Sequence, residues 1–288
     1  MTELATSPLQ LDAAQLRTDF DRRPFSMRHT LVNCELLSLP RLIMLAKELP
    51  TRSVEYNCAD IPLNQDYLRT PKNGLTIEET MAAIESCASW MVLKNVEYSA
   101  PYRDLLARCL AQVDPITAPA FPGMCSQEAY IFVSSPNSVT PYHFDPEHNF
   151  LLQIRGQKTV AVYDRTDRTI VTEQQLEAMA SGAHRNLPFK EEFHAREQLF
   201  HLTPGNGVHI PTLAPHWVKN GTEVSISFSI TFRSHPSLRQ SALYRANGRL
   251  RKLGLSPRPP TGSGLIGDAK VLVDRVASRL SRPWRVKR

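Results

Sequence analysis

The sequence predicts an α+β protein with a mostly β core, closed as a double-stranded β-helix of the jelly-roll type. α/β elements precede that core and a helical tail follows it. Three observations carry this expectation. From about residue 128 onward, helical spacing gives way to short runs of alternating apolar and polar residues. Those runs are separated by turns containing Gly and Pro, as in barrels and sandwiches built from successive short strands. The last run, 224–232, alternates strictly. Val224, Ile226, Phe228, Ile230 and Phe232 share one face, and Ser225, Ser227, Ser229 and Thr231 the other.

Taken in order, residues 9–20 read as a short amphipathic segment of an N-terminal arm, and 22–31 as a lead-in loop. Helical spacing over 39–49 has Pro40 in its first turn and stops before Pro50. Residues 51–75 read as irregular, with Asn73-Gly74 as a turn. Thr76-Ile77-Glu78-Glu79 is a capping box that opens a helix expected to reach about Ser89. The apolar run 90–93 predicts a buried strand, and 102–113, after Pro101, an amphipathic helix. Strands are expected at 129–134, in a hairpin over 148–164 turning at Arg155-Gly156, and at 198–202, 208–210 and 224–232. Residues 165–197, with a helix over 173–180, interrupt the strands as an excursion over the barrel mouth. Beyond Arg233 the periodicity decays. Pro257, Pro259-Pro260 and 262–264 mark a linker, and helical spacing returns over 268–280. The expected units are 1–75 as an arm and helices on the core, 76–235 as the barrel domain, and 236–288 as a basic linker with a C-terminal helix.

Composition narrows the class. With 42% hydrophobic and 22% charged residues the chain is too apolar to be mostly disordered. No window approaches the roughly 18–20 apolar residues of a membrane span. The first thirty residues lack a basic start followed by an apolar run, so no secretory signal is expected. Cys34, Cys58, Cys87, Cys109 and Cys125 form no C-x-x-C pair and are odd in number, which predicts reduced thiols and a cytoplasmic location. Charge is divided: residues 233–288 hold fourteen Lys/Arg against Asp268 and Asp274, leaving 20 bases and 26 acids in residues 1–232. A basic tail of this kind lies on its own acidic body or reaches an anionic partner. The chain shows no helix-turn-helix or aromatic RNA-binding signature, so nucleic acid is not the expected partner.

Residues 140–164 carry the chemistry. His143 and Asp145 are two apart, a spacing that sets both side chains on one side of an extended segment. His216 stands 71 residues after Asp145, in Ile-Pro-Thr-Leu-Ala-Pro-His-Trp. Two histidines and a carboxylate are the facial triad that leaves positions open on a non-haem Fe(II), although an H-x-D pair also occurs on plain surface loops. If Arg155-Gly156 is a two-residue hairpin turn, Gln153 faces Lys158, Leu151 faces Val160 and Asn149 faces Val162, all on one face. A lysine among apolar neighbours requires an anion, such as the distal carboxylate of an α-keto acid. The inverted register instead puts Lys158 in solvent. His209, His148, His201 and His194 compete for metal roles, with His209 and His148 read as structural or pocket-lining. The row Ser225, Ser227, Ser229 and Thr231 lines either a wet barrel interior or a solvent-facing edge.

Thr140-Pro-x-His143-x-Asp145, Asn149-Phe150, Gln153-Ile-x-Gly156-x-Lys158 and His216 resemble the JmjC-type, cupin-like 2-oxoglutarate oxygenases. The likeness is dense over 140–164, weaker over 198–232 and absent from the basic tail. It implies a cupin barrel in which His143, Asp145 and His216 ligate Fe(II). It further implies that Thr140 and Lys158 bind the distal carboxylate of 2-oxoglutarate and that Asn149 lines the pocket. Ser229 stands where that resemblance leads one to expect an asparagine near the co-substrate. The implied activity is O2-dependent hydroxylation of a protein side chain or a small metabolite, with succinate and CO2 as co-products. The competing reading is a non-catalytic cupin-like binding module whose basic tail docks an acidic partner. A Zn(II) or Mn(II) cupin is a third, for which Thr140 and Lys158 have less use. The C-terminal helix is a candidate homodimer contact.

Overall fold

The structure, a computed structural model, describes residues 7–260 and 264–280. The chain begins with β1 (Leu9–Gln10), α1 (Ala13–Asp19), β2 (Phe25–His29), α2 (Leu39–Glu48), β3 (Val54–Cys58) and α3 (Ile77–Ala82). There follow β4 (Ser89–Lys94), α4 (Ala100–Thr117), β5 (Cys125–Ser134), β6 (Val139–His143), β7 (His148–Arg155) and β8 (Lys158–Val162). The rest comprises α5 (Glu173–Ala180), β9 (Gln198–Leu202), β10 (Asn206–Ile210), β11 (His216–Asn220), β12 (Ser225–Arg233), α6 (His235–Lys252) and α7 (Leu265–Leu280).

Two antiparallel sheets form the barrel. One has the order β1-β2-β10-β7-β12-β5-β4-β3, the other β6-β11-β8-β9. Leu151, Val208 and Ile210 of the large sheet meet Val160, Val162, Phe200, Leu202 and Val218 of the small one in a single buried cluster, which is the barrel interior. The opposite face of the large sheet packs on the helices. Phe150, Leu152, Ile226, Phe228 and Ile230 join Leu16, Leu42, Leu45, Tyr102, Leu105 and Leu110 in the main core. The strict alternation of β12 therefore separates two buried environments, with Ser227 and Ser229 as fully enclosed as Phe228.

The expected hairpin over 148–164 does not form. β7 is flanked by β10 and β12, which occupy both of its edges, so β8 crosses into the other sheet between β9 and β11. The turn still does what the hairpin argument needed. Asn149, Leu151, Gln153, Lys158, Val160 and Val162 are all buried toward the interior. They share a cavity without sharing a ladder. Gly156 makes the crossing possible: it has φ +68, and a Cβ there would run into the carbonyl oxygen of Val224.

Other elements depart from expectation for local reasons. The lead-in loop contains β2, whose alternate residues Phe25, Met27 and His29 are buried beside β10. The span 51–75 contains β3, the edge strand of the large sheet, too polar in Glu55 and Asn57 to announce itself. α3 keeps its capping box but ends at Ala82. The largest departure is α6, where a basic linker was expected. Its Ser234–Ser237 capping box and Pro236 open a helix whose buried face mixes Ser237, Ser241 and Asn247 with Ala242, Leu243, Tyr244 and Ala246, so its apolar residues are clustered rather than spread at helical spacing. Its basic residues are matched: Arg251 pairs with Glu177 of α5 at 2.7 Å, and Arg245 and Arg249 both reach the buried Asp274 of α7. α5 falls where expected, and the segment after it lies along β6, with Leu187 N–H donating to the Tyr142 carbonyl.

Gly156→Ala is expected to cost more than the ~1–2 kcal/mol that left-handed backbone alone imposes on a residue with a Cβ. A wild-type midpoint in urea unfolding would show that the crossing tolerates a side chain.

Candidate metal centre

β6 ends and β11 begins at the same level, so that His143 and His216 are register partners across the small sheet. Each imidazole is fixed by its own backbone. His143 Nδ1 lies 2.7 Å from the Pro141 carbonyl and His216 Nδ1 2.9 Å from the Ala214 carbonyl. A carbonyl only accepts, so both Nδ1 atoms carry a proton, the tautomer that puts the lone pair of a neutral ring on Nε2. Each Nε2 is 3.8 Å from Asp145 Oδ2. The three donor atoms lie within 4.8 Å of one another, a set that could hold a metal ion. The second carboxylate oxygen, Oδ1, accepts from Arg185 Nη1 at 2.7 Å, which leaves Oδ2 for single-oxygen ligation.

The protonation states suit ligation. Burial alone would push Asp145 up, but the Arg185 guanidinium, then His143 and His216, outweigh it and hold the carboxyl at about 2. Burial, helped by His143, brings His216 down to about 4, so it is neutral near pH 7. Burial and the Asp145 charge push Glu147 up, against Arg185 and Arg233.

At the other end of the interior, Lys158 is only 6% exposed. Among the described residues its ammonium has no hydrogen-bond or ion-pair partner, and burial brings it down to about 7. Its register partner across β11, Asn220, has a buried Oδ1 that is likewise unpartnered. The neighbouring polar groups satisfy each other: Ser225 and Ser227 bind the Gln153 amide, and Ser229 Oγ donates to Asn149 Oδ1 at 2.8 Å. Ser229 thus holds Asn149, a different task from the one an asparagine would have there. Val162, the β8 partner of His216, is four residues from Lys158, or ~13 Å along the strand. A lysine arm and a five-carbon diacid placed end to end can span that gap.

A cavity of about 460 Å³ opens on the triad and brings together Thr140, His143, Asp145, Asn149 and Ser229. Lys158 and His216 lie behind its wall rather than on it. A second cavity, about 740 Å³, shares Glu55, Trp90, Thr140, His143 and His184 with the first, so the two form one cleft. His148 and His209 are placed elsewhere, each stacked on the Phe20 ring with centroids 4.8 Å apart. His194 pairs with Glu197, and His201 with Thr159. Sequence reading missed Arg185, which sits in the polar insertion where no periodicity applies. It also missed Glu147, although period-two spacing from Asp145 points to it, and Trp90, whose buried Nε1 has no partner among the described residues and which lines both cavities.

A family model described as a cupin-like domain matches residues 67–238, more than half of the chain. Jumonji C domain-containing protein 5 of Drosophila melanogaster is 26% identical over 153 residues, covering 48% of this chain and 37% of that protein. The chain therefore spans little more than a third of the length of the curated relative it matches. The X-ray structure of YcfD from Escherichia coli aligns with a TM-score of 0.52 at 16% identity, over 96% of this chain and 69% of that one. A second YcfD structure, described as a ribosomal oxygenase in complex with cobalt and 2-oxoglutarate, gives 0.50 at 16% identity, over 96% and 68%. At these identities the likeness is one of fold.

The sign of the Lys158 effect on folding follows from its position near 7, below the ordinary 10.5. Below about pH 7 an enclosed, unpartnered ammonium opposes folding in full. Between 7 and 10.5 the unfolded chain binds more protons than the folded one, so the penalty fades as pH rises. Lys158→Met is expected to stabilise the ligand-free protein by on the order of 2–4 kcal/mol at pH 6, and less at pH 9, in urea unfolding. A variant no more stable than wild type at pH 6 contradicts a buried unpartnered cation.

Proposed function

This chain belongs to the cupin-like domain family, and on that premise we propose that it is an Fe(II)- and 2-oxoglutarate-dependent dioxygenase. It hydroxylates a protein side chain or a small metabolite. The observation that carries the reading is the pairing of opposites in one barrel: a three-donor cluster at the mouth and an unpartnered lysine behind it. A metal-only cupin has a use for the first but none for the second.

The residues fit the missing groups. His143, Asp145 and His216 offer two imidazole nitrogens and one carboxylate oxygen, the donor set suited to non-haem Fe(II). The Lys158 ammonium supplies the charge for a distal carboxylate, and Thr140 a hydroxyl on the same route, while Asn149, steadied by Ser229, lines the wall. When bound, iron and the keto acid together activate O2, placing one oxygen atom in succinate and the other in the substrate, with loss of CO2. The chain's own part is to bind, orient and exclude water. Arg185 keeps Asp145 ionised and its Oδ1 engaged; the two carbonyl-bound Nδ1–H groups keep both Nε2 atoms aimed inward.

The relatives support the same reading: one carries a Jumonji C name, and one is described as a ribosomal oxygenase holding cobalt and 2-oxoglutarate. That description favours a protein substrate, as does a cleft that extends well past the triad along the edge strand β3. No helix among the described residues is long and apolar enough to cross a membrane, and the five cysteines are free thiols, in keeping with a cytoplasmic protein. Leu272, Val273 and Val276 of α7 are exposed, which supports pairing of two chains through that helix. The binding-module alternative loses support because Arg239, Arg245, Arg249 and Arg251 of α6 pair with acids of the same chain.

With Fe(II), 2-oxoglutarate, ascorbate and O2, the protein is expected to form succinate even without its prime substrate. His143→Ala should abolish this, and Lys158→Met should raise the KM for 2-oxoglutarate by about 30-fold or more, the size of a lost buried charge pair. An iron-loaded protein that neither binds 2-oxoglutarate nor forms succinate would overturn the assignment.

A further inference from the structure

The turn that delivers His216 is held from a distant part of the chain. Between β10 and β11 the backbone passes through Thr212 and Leu213, the latter in the left-handed region at φ +61. Three contacts of this turn govern the metal centre. The Ala214 carbonyl accepts His216 Nδ1–H; the Leu213 N–H donates to the Asp145 carbonyl at 2.6 Å; the Ala214 N–H closes the turn on the Pro211 carbonyl. Two of the three candidate ligands therefore depend on where 211–214 sits.

What fixes it is Asp21, from the N-terminal arm. Its Oδ1 accepts from the Thr212 N–H at 2.9 Å, from Thr212 Oγ1 at 2.8 Å and from Arg165 Nη1 at 3.0 Å. Arg165 Nη1 also donates to the Thr212 carbonyl and hydroxyl, so one ion pair clasps every polar group of that residue. Asp21 is 5% exposed and Thr212 1%. Asp21 itself takes φ +56, a conformation that aspartate adopts more readily than most residues but at a cost. The backbone there reaches the co-substrate end too. The Asp21 N–H donates to His209 Nε2 at 3.2 Å, which leaves His209 Nδ1–H to donate to the Asn149 carbonyl at 3.0 Å. Burial holds His209 down at about 3, so this relay is neutral and single in direction.

We propose that Asp21 is a positioning residue of the metal centre. Through Thr212 and Arg165 it fixes the 211–214 turn whose carbonyl orients His216 and whose amide ties down Asp145. The arm is thereby part of the site, although none of its described side chains lines the triad's cavity. The inference rests on the metal-centre reading above, and its test separates the two.

The measurement is titration of the metal-free full chain with Co(II), followed by visible absorption, beside thermal unfolding of each variant. Outer-shell partners of metal ligands commonly change affinity by 10–100-fold. Asp21→Ala is expected to weaken Co(II) binding by about ten-fold and to alter the band pattern that reports ligand geometry. Thr212→Val should do the same to a lesser degree, and Thr212→Ser, which keeps the hydroxyl, should restore both affinity and spectrum. Asp274→Asn, which removes an equally buried charge from the α6–α7 clamp, should lower thermal stability and leave Co(II) affinity and spectrum unchanged. If Asp21→Ala does not fold, the Thr212 pair decides. Folded Asp21→Ala or Thr212→Val protein with wild-type affinity and spectrum overturns the proposal, as does an Asp274→Asn loss of affinity equal to theirs. Wild-type protein that takes up no Co(II) overturns the metal-centre reading, and this inference with it.

Discussion

The pairing of β6 with β11 is the contact on which the rest depends, because it places His143 opposite His216. Neither strand is remarkable in sequence, and each needs the remainder of the barrel to bring it to that place. The small sheet is closed against the large one by aliphatic side chains from both, and the large sheet is in turn backed by α1, α2 and α4 through its other face. Loss of one core residue would therefore be felt at the metal centre through strand position rather than through contact. Local hydrogen bonds then refine what the sheets set roughly: each imidazole is turned by the carbonyl two residues before it.

Charge in the interior is distributed so that the ligand-free protein is incomplete. The mouth of the barrel has a carboxylate already matched by a guanidinium, beside two imidazoles whose Nδ1 atoms are held by backbone carbonyls and of which His216 is brought down to about 4 by burial. The far end has a cation that no described residue pairs with, next to an amide oxygen with no donor among the described residues. Buried charges are normally paired, since desolvation costs more than isolated packing returns. An arrangement that leaves one cation alone is destabilising unless an anion from outside completes it. That is the physical reason for reading the two ends as one pocket rather than as a metal site with a stray lysine nearby.

Much of this was legible in the sequence, though not always for the right reason. The helix expected over 39–49, the capping box at Thr76, the helix over 173–180 and the alternation of 224–232 follow from local rules and were readable. Lys158 was placed on the interior face by a hairpin that does not exist; the face was right because strand parity survives a change of partner, and the ladder was wrong because partner choice depends on the whole sheet. α6 was unreadable because its apolar buried residues are bunched at 242–246 and the rest of its buried face is Ser237, Ser241 and Asn247, with burial set by α5 and α7. Arg185 and Asp21 were invisible for a related reason. Each acts on a residue 40 or more positions away, Arg185 on Asp145 and Asp21 on Thr212, and no periodicity encodes such contacts. Of the candidate ligands, His143 and Asp145 stood out because they are two residues apart, and His216 because of its Pro-rich turn before a strand; their supports did not, because only the fold brings them near.

The central claim is that one pocket has a metal end and a carboxylate end. Calorimetric titration of 2-oxoglutarate into Co(II)-loaded protein without oxygen tests it most directly, with metal-free protein and Co(II)-loaded Lys158→Met alongside. One 2-oxoglutarate per chain is expected on the Co(II)-loaded wild type, and binding weaker by about 30-fold or more when either the metal or the lysine is removed. Equal affinity in the Lys158→Met protein, or in the metal-free one, would contradict it.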